Sequence, residues 1–206
     1  MRKVLFMKGS ELRLIEYMEG SKKRFIIPVY QRNYDWKIEN CKQLYDDLIQ
    51  VIKNNSKTHF FGSIVSVYEP SGRNTEFLII DGQQRLTTMS LLFLALYNLL
   101  EEKIIISEDE SLKDQIYEDF LVDKYQPQEK RMKLKPIKND QKAFSKLFNS
   151  KDDYIKDSNL TINYSYFYER IQKQEITIDE LFDAICRLEI INITLNNEDN
   201  PQLIFE

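Results

Sequence analysis

Between the apolar run Leu78-Ile79-Ile80 and a second one that begins at Leu86 stand five polar or permissive residues, Asp81-Gly82-Gln83-Gln84-Arg85, with Thr87 and Thr88 just beyond. These side chains suit an anion. Gly82 permits close backbone approach, Gln83 and Gln84 offer amide donors, Arg85 offers a planar fork that matches phosphate, and the threonines add hydroxyls. An Asp-Gly pair between apolar residues ordinarily predicts a hairpin. Here Leu86-Thr87-Thr88-Met89-Ser90-Leu91-Leu92 has helical character, so the turn joins a strand to a helix. The first turn of a helix leaves N–H groups without partners and carries partial positive charge, which again favours an anion. A second account stays open on residue chemistry alone: Asp81 caps the helix and Arg85 pairs with an internal acid, because an uncompensated buried arginine is costly. No Gly-x-x-x-x-Gly-Lys-Ser/Thr pattern occurs, so the turn is not a P-loop.

A second cluster is Ile27-Pro28-Val29-Tyr30-Gln31-Arg32-Asn33-Tyr34-Asp35-Trp36. Strand-like alternation would set Tyr30, Arg32, Tyr34 and Trp36 on one side and Gln31, Asn33 and Asp35 on the other. Aromatic rings beside Arg and Gln can stack on a base while the polar groups hold sugar or phosphate. The same rings can also simply pack into a core.

The elements that must position these clusters follow from periodicity. Ser10 as N-cap and Gly20 as stop predict a short helix over 11–19. Residues 25–30 look extended. Apolar residues at Ile38, Cys41, Leu44, Tyr45, Leu48, Ile49 and Ile52 predict a helix with one buried face. Residues 60–68 and 77–80 read as strands joined by a Pro70-Ser71-Gly72-Arg73-Asn74 loop. The helix over 86–100 carries leucines around most of its circumference and must be central to the core. Further on, helices are expected over 112–121, 141–148, 160–174 and 178–186, with strands over 130–136 and 189–195 and a polar loop over 149–159. Asn200-Pro201 reads as an N-cap and first helical residue, so the chain is expected to end inside an element, as a fragment would.

At 206 residues and 42% hydrophobic content the chain can build a real core. Its start has no signal-peptide pattern, and no apolar run approaches the roughly 20 residues needed to span a bilayer. A cytoplasmic protein is therefore expected, without a membrane partner. Cys41, Cys186 and His59 lack metal-ligand spacing, so neither zinc nor a disulfide framework is expected and the cysteines should pack as small hydrophobes. Net charge is −4, yet residues 1–60 hold 12 Lys/Arg against 7 Asp/Glu, or +5, leaving −9 for the rest. That concentration either attracts a phosphate-bearing ligand or is an ordinary solvated surface. The basic residues over 124–142 are expected on the wet side of a strand.

Taken together, Pro28-Val29-Tyr30-Gln31-Arg32-Asn33-Tyr34-Asp35-Trp36, then Phe61-Gly62-Ser63-Ile64, then Ile80-Asp81-Gly82-Gln83-Gln84-Arg85-Leu86-Thr87-Thr88 closely resemble the N-terminal domain of GmrSD-type restriction endonucleases. Asn163-Tyr164-Ser165-Tyr166-Phe167 and the terminal Leu203-Ile204-Phe205-Glu206 are similar to the family's helical part, whose following Asn- and Gly-containing turn is missing here. The resemblance implies an α+β fold. A ParB- and sulfiredoxin-like mixed sheet with packed helices would form a nucleotide-binding core over residues 1–105, followed by a mainly helical extension over 106–206, truncated at its C-terminal end. It also implies nucleoside triphosphate hydrolysis that regulates restriction of modified foreign DNA.

Carried over by position, Asp81, Gly82, Gln83, Gln84, Arg85, Thr87 and Thr88 would line a triphosphate pocket, with Asp81, Gln84 and Arg85 as its catalytic set. Gln31 and Arg32 would face it from the other motif, and Tyr30, Tyr34 and Trp36 would be the base-stacking residues. The reaction ordinarily needs Mg²⁺, with Asp81 its expected ligand. Family nuclease activity resides in a C-terminal His-Asn-His domain, which His59 alone cannot supply. The nuclease is then expected in a domain or partner subunit outside this chain, with DNA and self-association as further partners. A catalytically silent DNA-binding module and a protein-interaction scaffold remain as alternatives; the scaffold would be supported by an Arg85 buried against an internal carboxylate with no adjoining cavity.

Overall fold

The computed structural model describes residues 8–72 and 74–195. The expected terminal helix from Asn200 lies outside them, as does Arg73 of the predicted turn. Six strands, β1 (Lys8–Arg13), β2 (Lys23–Ile26), β3 (His59–Ser71), β4 (Asn74–Asp81), β5 (Leu134–Lys135) and β6 (Leu188–Leu195), form one mixed sheet in the order β1-β6-β3-β4-β2-β5. β1–β6 and β3–β4 are antiparallel; β6–β3, β4–β2 and β2–β5 are parallel. The helices are α1 (Leu14–Met18), α2 (Ile38–Lys53), α3 (Gln83–Glu101), α4 (Leu112–Ile116), α5 (Lys138–Lys146), α6 (Asn159–Gln172) and α7 (Ile178–Cys186), with a π-helical turn over Tyr117–Leu121. The expected α+β class is what the chain adopts, and no helix among the described residues is long and apolar enough to cross a membrane.

α3 is the axis of this architecture. Leu86, Met89, Leu91, Leu92, Phe93 and Leu96 are all buried; Ile64 and Ile79 of the sheet belong to the same core, and α6 packs on the helix most extensively. Phe93 stacks on Phe120 of the π-helical turn at 4.3 Å. One hydrophobic cluster runs from Leu14 to Ile190. The C-terminal half is mainly helical, but its last strand, β6, enters the sheet between β1 and β3.

Three expectations change. Residues 11–13 are strand rather than helix, because Glu11, Leu12 and Arg13 pair with Ile191, Ile190 and Glu189 of β6; only Leu14, Tyr17 and Met18, spaced three and four apart, make a helical apolar stripe. α3 begins at Gln83 rather than Leu86, which puts Gln83, Gln84 and Arg85 in its first turn. The predicted strand over 130–136 shrinks to two residues, and Lys133 is not on a wet face. It is 1% exposed, and its ammonium donates to the carbonyls of Gly20, at 2.7 Å, and Asp119 in the π-helical turn.

Burial pushes the Lys133 ammonium down from its ordinary 10.5 to about 8. Between those values the unfolded chain holds a proton that the folded chain has shed, so this group adds stability as pH rises. The urea midpoint of the native chain should therefore climb between about pH 8 and 10, and Lys133→Met should flatten the climb. Parallel profiles for the two proteins would contradict the assignment.

Candidate functional site

β4 ends at Asp81, and Gly82, the residue before α3, adopts φ +89, a left-handed conformation that turns the chain from strand into helix. A Cβ here would stand 2.9 Å from the Ser63 carbonyl oxygen and 3.0 Å from Ile64, so glycine is needed for conformation and for space. The N-terminus of α3 opens on a cavity of about 400 Å³, walled by Asp81, Gly82, Gln83, Gln84 and Arg85 on one side and by Gln31, Arg32 and Trp36 on the other. The two motifs that the sequence sets about fifty residues apart thus meet across one space.

Arg85 is half-buried, and its Nη1 donates to the Ser63 carbonyl at 3.2 Å. Its guanidinium lies so close over Gly62 that an added Cβ would be 2.5 Å from Nε. Gly62 has φ +131 and follows a register shift in β3, between Phe60 and Gly62. Among the described residues Arg85 forms no ion pair with a carboxylate. The internal salt bridge that the sequence left open, and that would support a scaffold role, is therefore not made among the described residues. A partly desolvated cation borders a polar cavity instead.

The two glutamines reverse the roles that residue chemistry suggests. Gln84 Nε2 donates to the Asn33 carbonyl at 3.0 Å, while its Oε1 accepts from the N–H groups of Asp35 (3.0 Å) and Trp36 (3.3 Å). Gln83 Nε2 donates to the Arg32 carbonyl at 3.4 Å, and its Oε1 is buried without a protein partner. Turning that amide over would face oxygen to oxygen. Both amides thus use their N–H groups on the backbone of residues 32–33 rather than offering them to an anion. Gln84 shapes the wall and is not free to act as a catalyst. Gln31 Nε2 donates to the Ile80 carbonyl at 2.8 Å, at the residue skipped by the register shift between β3 and β4.

Residues 27–37 form no strand, so the expected alternation fails. Trp36 lines the cavity beside Arg32, whose guanidinium is paired with exposed Asp35 at 3.0 Å. Tyr30 is 56% exposed and is not in the cavity wall. Tyr34 turns into the core at 6% exposure; its hydroxyl hydrogen-bonds Thr88 Oγ1 at 2.7 Å and accepts from Asn163 Nδ2 at 2.9 Å. Burial pushes its phenol far above the ordinary range. Tyr34 is therefore closed to a stacking base, and Thr88, 0% exposed, points its hydroxyl at Tyr34 rather than at a phosphate. Thr87 is buried in a narrow recess beside Ile137 and Asp140.

Three supporting residues were not singled out from the sequence for this role. Asp140, in the first turn of α5, accepts from the Tyr34 N–H at 2.6 Å, and burial raises its carboxyl pKa against the lowering effect of that bond. Asn163 and Asn159 of α6 donate to the carbonyls of Trp36 (2.9 Å) and Tyr34 (3.3 Å). Only spatial proximity reveals them, since they lie more than a hundred residues from what they hold.

Among the described residues no three His, Cys, Asp or Glu side chains gather to hold a metal. Asp81 is the carboxylate in the cavity wall. One carboxylate suits Mg²⁺, which usually takes one or two from the protein and its other ligands from phosphates and water.

Residues 14–206 match the family model of the GmrSD restriction endonuclease, N-terminal domain. No curated protein matches the chain.

Gly82→Ala should destabilise the fold by about 2 kcal/mol, the cost of a strained left-handed residue with a backbone clash. Gly9→Ala, with nothing within 4 Å of the added carbon, should change the urea midpoint little. Equal midpoints for the two variants would remove the conformational requirement at Gly82.

Proposed function

The chain belongs to the GmrSD restriction endonuclease N-terminal domain family, and from that premise we propose that its cavity binds a nucleoside triphosphate and hydrolyses it to regulate restriction. Membership makes it part of a restriction-type defence protein. The observation that carries the nucleotide reading is Arg85: a guanidinium with no carboxylate partner among the described residues, beside the N-terminus of a 19-residue helix and a cavity of about 400 Å³.

The chemistry follows from that wall. Phosphate oxygens would take the free N–H groups of the first turn of α3 and the donors of Arg85, where the helix dipole and the fixed cation reinforce each other. Gly62 and Gly82 keep the backbone and the arginine close enough to do so. Water would attack the terminal phosphorus and give up a proton to the released phosphate or to solvent, as the bond to the bridging oxygen breaks and the nucleoside diphosphate leaves with its developing charge stabilised by Arg85. Asp81 would hold Mg²⁺, which when bound would neutralise phosphate charge. Cutting of DNA would belong to a nuclease domain or subunit outside this chain, because His59 sits beside Asp47 at 3.7 Å rather than in a His-Asn-His site. The triphosphate pocket then controls cutting rather than performing it.

Calorimetry with each of the four nucleoside triphosphates and Mg²⁺ should give saturable binding to the native chain. Arg85→Ala should weaken it by at least tenfold, since a charge-assisted contact is worth about 1.5–3 kcal/mol. Phosphate release should follow the same order, tested with and without modified DNA. Unchanged affinity in a folded Arg85→Ala protein would refute the reading; affinity for DNA that falls steeply with salt and ignores nucleotide would favour a DNA-binding module instead.

A further inference from the structure

Trp36 is the only tryptophan in the chain, and it stands in the cavity wall within a segment that no strand supports. Side-chain amides replace the missing ladder bonds. The Trp36 N–H donates to Gln84 Oε1 at 3.3 Å, and its carbonyl accepts from Asn163 Nδ2 at 2.9 Å. Helix α3 thus holds the backbone N–H of the residue and α6 its carbonyl. Asn163 is 0% exposed, does not line the cavity, and shares the same nitrogen with the Tyr34 hydroxyl at 2.9 Å. That hydroxyl is in turn bonded to Thr88 of α3. One buried amide nitrogen therefore ties two aromatic residues of the segment, Tyr34 and Trp36, to α6.

The cavity divides by chemistry. Its α3 end offers Arg85 and the helix N-terminus to an anion. Its opposite wall offers an indole, whose flat π-face stacks on any base. We propose that Trp36 is the base platform of this pocket and that Asn163, a positioning residue on the distal helix, holds the platform in place. The site then selects a nucleoside triphosphate over a bare polyphosphate. This rests on the triphosphate reading above and adds to it which part of the ligand each wall recognises. The phosphate end is built by β3, β4 and α3 without Asn163, so loss of Asn163 acts on base recognition alone.

The test uses the full chain, with inorganic tripolyphosphate as the probe of the phosphate end and the four nucleoside triphosphates as probes of both ends. Nucleotides should quench the single tryptophan emission and bind roughly tenfold tighter than tripolyphosphate, the scale of one aromatic–base stack. Trp36→Ala should abolish that preference, and Trp36→Phe should retain most of it. Asn163→Asp, which keeps the shape but removes both N–H donors, should also abolish it, with tripolyphosphate affinity unchanged. Tyr164→Phe, on the same helix but bonded to Asn98 at 2.7 Å, should lower stability without altering the preference. Should Asn163→Asp fail to fold, Asn163→Ser, which retains one donor, carries the same comparison and should show a reduced preference. Equal binding of nucleotides and tripolyphosphate by the native chain would overturn the proposal. So would a preference that survives in Trp36→Ala or in folded Asn163→Asp, or one that is undiminished in Asn163→Ser. Binding of neither probe would remove the triphosphate reading itself, and this inference with it.

Discussion

A helix buried along almost its whole length, yet starting with polar side chains, sets the terms for everything around it. The first two turns of α3 carry Gln83, Gln84, Arg85, Thr87 and Thr88, and all but Arg85 are at most 6% exposed. Each buried polar group left without a partner costs about 1–3 kcal/mol. The segment over 31–37 is folded to answer them. Its carbonyls take the N–H groups of Gln83 and Gln84, its own N–H groups go to Gln84, and the Tyr34 hydroxyl meets Thr88. This explains why the segment holds one irregular conformation without belonging to any strand. Among the described residues the charge of Arg85 is answered only by the Ser63 carbonyl.

What the sequence made legible was local. The apolar stripe from Cys41 to Ile49 encodes its helix over a few turns, and β3–β4 is a hairpin between neighbours. What stayed hidden depends on distant partners. β1 looked helical because its mate, β6, lies nearly 180 residues away and enters the sheet last in chain order. The Asp81-to-Arg85 turn was rightly seen as strand-to-helix, and its meeting with Gln31 and Arg32 is what the cavity displays. The glutamines were misjudged because donor capacity is visible in a sequence while the carbonyl that claims it is not. Asn159 and Asp140 give no local signal, and Asn163 stands out only within a family-like motif and not for this role, since a polar residue on an amphipathic helix reads as solvent-facing until something is found packed on it.

The left-handed residues separate structural stops from functional close approaches. Asn55, Lys103 and Gln174 have φ between +47 and +55 and each follows the last turn of α2, α3 or α6. After α2 and α3 the following N–H groups reach back to Val51 and Leu99, the bonding that ends a helix with a left-handed residue. None of the three is glycine, so these helices accept the small cost of a left-handed side chain and stop where the sequence gives no obvious signal. Gly62 and Gly82 are different. They lie at a strand irregularity and at a strand's end, and the carbon each lacks would strike the Arg85 guanidinium or the Ser63 carbonyl that binds it. The chain tolerates left-handed side chains where only a stop is needed and keeps glycine where a side chain would displace Arg85 or its partner. Left-handed backbone occurs in open turns too, at Gly20 and Gly72, where an added carbon would meet nothing; at Gly62 and Gly82 alone among these glycines it makes room for a cation that has no carboxylate partner among the described residues, as the proposed phosphate site would need.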